Sequence, residues 1–121
     1  MRIVFLNALP LNAIPLNTFM IYCTRDMDRI RFFVDAASEI ESYIRHEATV
    51  KLVSELFKIN LKQSSGLYTY QRDDKLIVVT LKRPTRGVEM ETVKPEDLDI
   101  LLCDVKTIEE LFDEPVFDDD P

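Results

Sequence analysis

The chain has 121 residues, of which 46% are hydrophobic and 31% are charged, and its 15 basic and 22 acidic side chains give a formal net charge of −7. This length predicts a single globular domain with one core. No apolar run approaches the roughly 20 residues needed to span a bilayer, and the negative charge argues against sequence-independent binding to duplex nucleic acid. The composition therefore excludes a membrane-spanning protein. The apolar N-terminal run at residues 3–16 is interrupted by asparagines and prolines and shows no clear basic n-region or cleavage site, which predicts a cytoplasmic protein.

The N-terminal part of the chain predicts two strands separated by a loop and followed by a helix. RIVFL (residues 2–6) and TFMIYCT (residues 18–24) are rich in β-branched and aromatic residues, which are typical of strands. The loop between them, residues 7–17, holds two prolines and three asparagines. It is either an extended connector that cannot pair or a ligand-binding lip at the end of a strand. Apolar residues at helical spacing then predict a helix from residue 26 or 28 to residue 37.

The next predicted helix carries the only histidine of the protein. A polar link at residues 38–42 leads into IRHEATVKLVSELF (residues 44–57), and Ser42 is expected in the N-cap region. Four residues at i, i+4, i+7 and i+11 share one helical face: His46, Val50, Val53 and Phe57. A lone histidine at the start of an apolar face is more often a half-buried core residue than a functional one. Spacing alone therefore favours a structural role for this histidine.

The C-terminal part predicts more strands. After a turn-rich link at residues 60–66, residues 67–71 and 75–82 are expected to pair as a hairpin. LIVVTL (residues 76–81) is the most strand-like run of the chain and is predicted to lie in the middle of the sheet. A short helix is predicted at residues 93–99.

A last strand is predicted at residues 100–105. The predicted domain therefore covers residues 1–109, and residues 110–121 form an acidic C-terminal tail.

Two groups of side chains are candidates for chemistry. Lys82, Arg83 and Arg86 lie at the end of a predicted strand beside Gly87, a pattern that suits either an anion site or a solvated hairpin tip. Two cysteines, Cys23 and Cys103, lack the spacing of a metal site, so we expect reduced, buried thiols and no bound metal.

Several segments together resemble a known family. The segments are NALPLNA after the first strand, the helix start IRHEATVKLVSEL, GLYTY, LIVVTLKRPTRGVE and KPEDL. Their combination resembles the small viral and archaeal ring nucleases that inhibit type III CRISPR systems, and the resemblance covers residues 2–105. With the predicted elements, it implies an α+β fold, a single domain whose mixed, mainly β sheet has helices packed on one face, and a homodimer.

The resemblance also implies an activity. Ring nucleases of this kind cleave cyclic tetra-adenylate without a metal or any other cofactor, by attack of the substrate's own 2′-hydroxyl. The products are linear and end in a 2′,3′-cyclic phosphate, and the loss of the ring silences type III CRISPR signalling. The implied partners are cyclic tetra-adenylate and a second copy of the chain, with no duplex nucleic acid and no membrane, in the host cytoplasm if the protein is viral.

The same resemblance assigns residues to this activity. The family's catalytic histidine falls on His46, and its arginine and glutamate fall on Arg86 and Glu89. An ungapped register instead puts Arg83 on the arginine and Arg86 on the glutamate. The expected ligand-binding residues are Asn7, Asn12, Arg45, Thr49, Lys82 and Arg83. Pro10 replaces a serine that some members carry in the first loop.

Two other functions stay open from the sequence. A binding module would keep the pocket and sequester the ligand without cutting it. An interaction protein would instead use its acidic tail to dock a basic partner or to mimic nucleic acid.

Overall fold

The computed structural model describes residues 1–9, 11–82 and 94–108. These residues form five strands and two α-helices: β1 (Arg2–Leu6), β2 (Thr18–Thr24), α1 (Met27–Ala36), β3 (Glu39–Ser42), α2 (Glu47–Phe57), β4 (Lys75–Leu81) and β5 (Leu98–Thr107). Short 3-10 turns lie at Leu11–Ala13 and Pro95–Asp97. No α-helix in the described ranges is long and apolar enough to cross a membrane.

The five strands form one mixed sheet in the order β2-β5-β4-β1-β3. Strand β1 runs parallel to both β3 and β4, with Arg2 opposite Glu39 and Leu6 opposite Val78. Strand β5 is antiparallel to both β4 and β2. The carboxyl ends of β1, β3 and β4 therefore meet at one edge of the sheet, and the segments that follow these strands begin there.

Both α-helices pack on one face of the sheet. Asp26 caps α1 by accepting hydrogen bonds from the N–H groups of Asp28 and Arg29, as N-cap aspartates do. Helix α2 is followed by its C-cap residue Lys58, which has left-handed backbone dihedrals (φ 56°). The core on this face combines buried residues of the two helices with strand residues: Ile30, Val34, Val50, Val53 and Phe57 with Ile3, Phe5, Ile77, Val79, Ile100 and Leu102. The predicted α+β fold with helices on one face is confirmed.

Irregular segments cover the opposite face of the sheet. Side chains alternate between the two faces along a strand, so Val4 and Leu6 of β1 point away from the helices. Tyr68 is buried in the cluster on that side. Within the described residues, 7–9 and 11–17 cross this face beside residues 66–74, and both segments start at the carboxyl edge. A hydrogen bond from the Tyr70 N–H to the Ala13 carbonyl (3.3 Å) joins them.

Most of the predicted elements are confirmed, and three predictions are wrong. Residues 39–42 form the edge strand β3 and not a polar link, because pairing with β1 stabilises a segment that has one apolar residue. Residues 67–71 contain no strand, so the hairpin with β4 is wrong: the two neighbours of β4 are β1 and β5. The N-cap of α2 is His46 and not Ser42. The predicted acidic tail at residues 110–121 lies outside the described residues.

Candidate functional site

A pocket of about 450 Å³ lies at the carboxyl ends of β1 and β3. Residues 6–8 and 12–13 line one side, and residues 66–69 line another. Tyr43, Arg45 and His46, just before α2, line the third side. Four of the predicted site residues line it: Asn7, Asn12, Arg45 and His46. The fold thus brings together residues that are up to 39 positions apart in the sequence.

His46 is exposed at the N-terminal end of α2. Its backbone is extended (φ −97°, ψ 122°), its carbonyl accepts the Val50 N–H (3.0 Å), and its imidazole makes no capping hydrogen bond to the helix. The expectation of a half-buried core histidine is therefore wrong. The apolar face of α2 begins one turn later at Val50, because the histidine precedes the helix.

Asn7 and Gln63 hold the backbone next to the histidine. The Asn7 Oδ1 accepts the Arg45 N–H at 2.7 Å, and the Gln63 Nε2 donates to the Arg45 carbonyl at 2.6 Å. The sequence predicted Asn7 as a ligand-binding residue, but its amide oxygen is engaged within the protein. Gln63 was not predicted, because no local pattern connects it with a residue 18 positions away.

The wall of the pocket contains two tyrosines that the sequence analysis missed. The rings of Tyr43 and Tyr68 meet edge to face, with their centroids 5.4 Å apart. The Tyr68 hydroxyl donates to Asp74 Oδ2 (2.6 Å), and burial together with this bond raises the pKa of Tyr68 far above its usual range. Tyr68 is therefore a neutral, fixed part of the wall and no acid or base.

Asp74 anchors the segment that carries this wall. Burial by itself would raise the pKa of Asp74, but hydrogen bonds from Arg2, the Tyr68 hydroxyl and the Gln71 N–H outweigh burial and lower it. The carboxylate is 2% exposed and ionised at neutral pH. It ties residues 68–71 to the first strand.

The remaining predicted site residues lie elsewhere or outside the described ranges. Thr49 is buried in the first turn of α2 and does not line the pocket. Lys82 lines a second pocket of about 570 Å³, which also includes Arg25 and Arg31. The predicted residues Arg83, Arg86 and Glu89 lie outside the described residues, as does Pro10. In the part of the chain that the structure describes, no group of three or more His, Cys, Asp or Glu side chains could hold a metal ion.

Comparison with known families decides where the chain belongs. The STIV B116-like family model matches residues 3–105. The chain belongs to the STIV B116-like family. Among solved structures, this chain is similar to B116 of Sulfolobus turreted icosahedral virus, with a TM-score of 0.62 and 11% sequence identity. The match covers 85% of this chain and 98% of that chain. No curated protein sequence matches it. At this identity, the structural match shows a shared fold and nothing further.

Proposed function

We propose that this STIV B116-like protein is a metal-independent ring nuclease that cleaves cyclic tetra-adenylate and so antagonises type III CRISPR signalling. The observation that carries the proposal is the position of His46, an exposed imidazole in a pocket that also presents the side chains of Arg45 and Asn12. His46 is the N-cap residue of α2, but its imidazole is neither packed in the core nor hydrogen-bonded to the helix, so the ring is available for proton transfer.

The chemistry requires little beyond these groups. The 2′-hydroxyl of one nucleotide gives up its proton to water and attacks the adjacent phosphorus, so that a P–O2′ bond forms and the P–O5′ bond breaks. The leaving 5′-oxygen then needs a proton. His46 supplies that proton, and the Arg45 guanidinium attracts the phosphate charge. Arg86 and Glu89 are the further catalytic residues of the proposal: Arg86 stabilises the charge that grows on the phosphorane, and Glu89 orients Arg86 or His46.

The walls of the pocket suit a nucleobase. Tyr43, Tyr68 and Leu67 provide aromatic and apolar surface, and bases stack well on aromatic rings. Asn12 supplies amide donors and acceptors beside this surface. The pocket therefore offers apolar contacts for adenine and polar contacts for a phosphate, the two parts of an adenylate unit.

The size of the pocket favours a site shared by two copies of the chain. Pockets that enclose a drug-sized ligand measure about 300–1,000 Å³, so 450 Å³ suits one or two nucleotides and not a ring of four. A homodimer with two-fold symmetry places two such pockets around one ring, with one His46 from each subunit. A rotationally symmetric ring presents equivalent phosphates to both.

The deciding experiment incubates the purified protein with cyclic tetra-adenylate in excess EDTA and separates the products by chromatography. We expect linear products that end in a 2′,3′-cyclic phosphate. Tight binding without cleavage would identify a sequestering module. If the protein neither binds nor cleaves the ring, the remaining function is that of an interaction protein that uses its acidic tail.

A further inference from the structure

The backbone just before His46 is held from both sides by two amide side chains. Asn7, which follows β1, accepts the Arg45 N–H at 2.7 Å, and Gln63, in the link after α2, donates to the Arg45 carbonyl at 2.6 Å. The first distance is at the short end of the usual range for N–H···O bonds, and the second is just below it. The two bonds lie on the peptide groups that flank Arg45, so they fix the chain one residue before the histidine.

Neighbouring backbone bonds extend this support. The Ser64 N–H donates to the Ile44 carbonyl (2.9 Å), and the Tyr43 N–H donates to the Phe5 carbonyl (2.8 Å). On the other side, the Val50 N–H donates to the carbonyl of His46 itself. The main chain of residues 43–46 is therefore tied to β1, to the link at residues 60–66 and to α2, while the imidazole makes no capping bond and can turn towards a ligand.

Gln63 differs from Asn7 in its relation to the pocket. Asn7 lines the pocket, so its side-chain NH₂ can also meet a ligand, whereas Gln63 is exposed and lies outside the lining. Gln63 can therefore influence chemistry only through the Arg45 carbonyl. Both side chains are neutral amides, so the support that they give does not change with pH.

We propose that Gln63, together with the amide oxygen of Asn7, is a positioning residue that sets the place of His46 in the pocket. The role in catalysis rests on the proposed ring nuclease activity. A displacement of about 1 Å at a reacting group can cost about 100-fold in rate. Loss of either bond frees the peptide before His46 and lowers the rate of proton transfer more than it lowers affinity.

The first test compares Gln63→Ala with Asn60→Ala. Asn60 is an exposed amide of the same link, and no hydrogen bond of its side chain is seen within the described ranges. We expect Gln63→Ala to reduce the single-turnover cleavage rate roughly 10- to 100-fold with a dissociation constant within about threefold of the parent. Asn60→Ala should match the parent in both. An unchanged rate in Gln63→Ala would overturn the proposal.

A second readout does not depend on activity. Because the protein has one histidine, the imidazole signals in a ¹H–¹³C NMR spectrum belong to His46 alone. Gln63→Ala should shift them without ligand, and Asn60→Ala should not. If the parent fails to cleave the ring, the proposed function fails, and these spectra still decide the positioning role: unmoved signals in Gln63→Ala refute it.

Three further variants separate positioning from ligand contact. Asn7→Asp keeps an oxygen for the Arg45 N–H but adds a negative charge to the pocket, so it should weaken binding of the anionic ring. Asn7→Ala removes the acceptor and should shift the signals. Gln63→Glu keeps the size of the side chain and loses the donor, so it should behave like Gln63→Ala, and it replaces that variant if the alanine protein does not fold. Parental behaviour of Gln63→Glu would contradict the proposal.

Discussion

Arg2 and Asp74 form a bidentate ion pair that joins the first strand to the turn before β4. The Arg2 Nε donates to Oδ1 at 2.9 Å and Nη2 donates to Oδ2 at 2.8 Å, and the two side chains are 14% and 2% exposed. The Tyr68 hydroxyl shares the same carboxylate. The pair therefore supports the wall of the candidate pocket from the opposite end of the sheet.

Replacement of this carboxylate should destabilise the fold. Asp74→Asn leaves the Arg2 charge without its counter-ion, and we expect a loss on the order of 2–3 kcal/mol in the free energy of unfolding, below that of a fully buried pair because Arg2 keeps some access to water. Urea unfolding measures this loss. The control is Asp104→Asn, which breaks the more exposed pair with Lys75 and should cost about 1 kcal/mol or less. Equal losses in the two variants would contradict the special role of Asp74.

The same carboxylate should make the free energy of unfolding depend on pH in the acidic range. Folding lowers the pKa of Asp74 below the value of about 3.9 that an aspartate has in an unfolded chain. The unfolded chain therefore binds this proton more tightly than the folded protein does. The stabilisation is complete above that pH and is lost as the pH falls below it. Urea titrations between about pH 7 and pH 3 should show a steeper decline for the parent than for Asp74→Asn. Parallel curves would show that other groups cause the acid sensitivity.

His46→Ala should remove the chemical step. Loss of a general acid typically costs about 10²–10⁴-fold in rate, while ligand affinity should stay close to that of the parent because the imidazole is one contact among several. Single-turnover cleavage and equilibrium binding measure the two effects. Lys51→Ala, an exposed position on the same helix, serves as the matched control. A His46→Ala protein that cleaves at the parental rate would end the catalytic assignment.

The proposed shared site predicts a defined stoichiometry. The protein should sediment as a dimer and bind one cyclic tetra-adenylate for every two chains, because a ring on the two-fold axis serves both subunits. Sedimentation velocity and titration calorimetry give these two numbers. A monomer that binds one ring per chain would require a site built from a single subunit.

Cys23 and Cys103 should form a disulfide under oxidation. They are direct partners across β2 and β5, their Sγ atoms are 3.2 Å apart, and both are free thiols. Antiparallel partners have Cα separations of about 4.5–5.5 Å, which lie within the range of about 4.4–6.8 Å found in disulfides. Diamide, which is reduced to the hydrazine as it accepts the two hydrogens, should yield an intramolecular bond, seen as the loss of two hydrogens by mass spectrometry. A disulfide between two chains would contradict this prediction.

The thiols should also differ before oxidation. Cys23 is exposed, contrary to the expectation of two buried thiols, whereas Cys103 is buried and burial raises its pKa to about 12. Iodoacetamide should therefore modify one thiol in the folded protein and both after unfolding. Cys23→Ser should resist modification until it unfolds.

The sequence by itself determined the elements that have a strong local pattern. β1, β2 and β4 are rich in β-branched and aromatic residues, and α1 and α2 repeat apolar residues at helical spacing, so local preference and burial favour the same structure in each. The α+β class and the central position of β4 follow from these patterns. Asn7, Arg45 and His46 were also assigned to one site from the sequence, through the family resemblance.

Only the tertiary structure decided the elements that depend on distant partners. Glu39–Ser42 is a strand because β1 offers it a parallel neighbour, and residues 67–71 are not a strand because β5 occupies the position beside β4 that a hairpin would need. The exposure of His46 and the bond from Gln63 to Arg45 depend on how the chain returns past the start of α2. Such contacts join residues many positions apart, and local spacing carries no information about them.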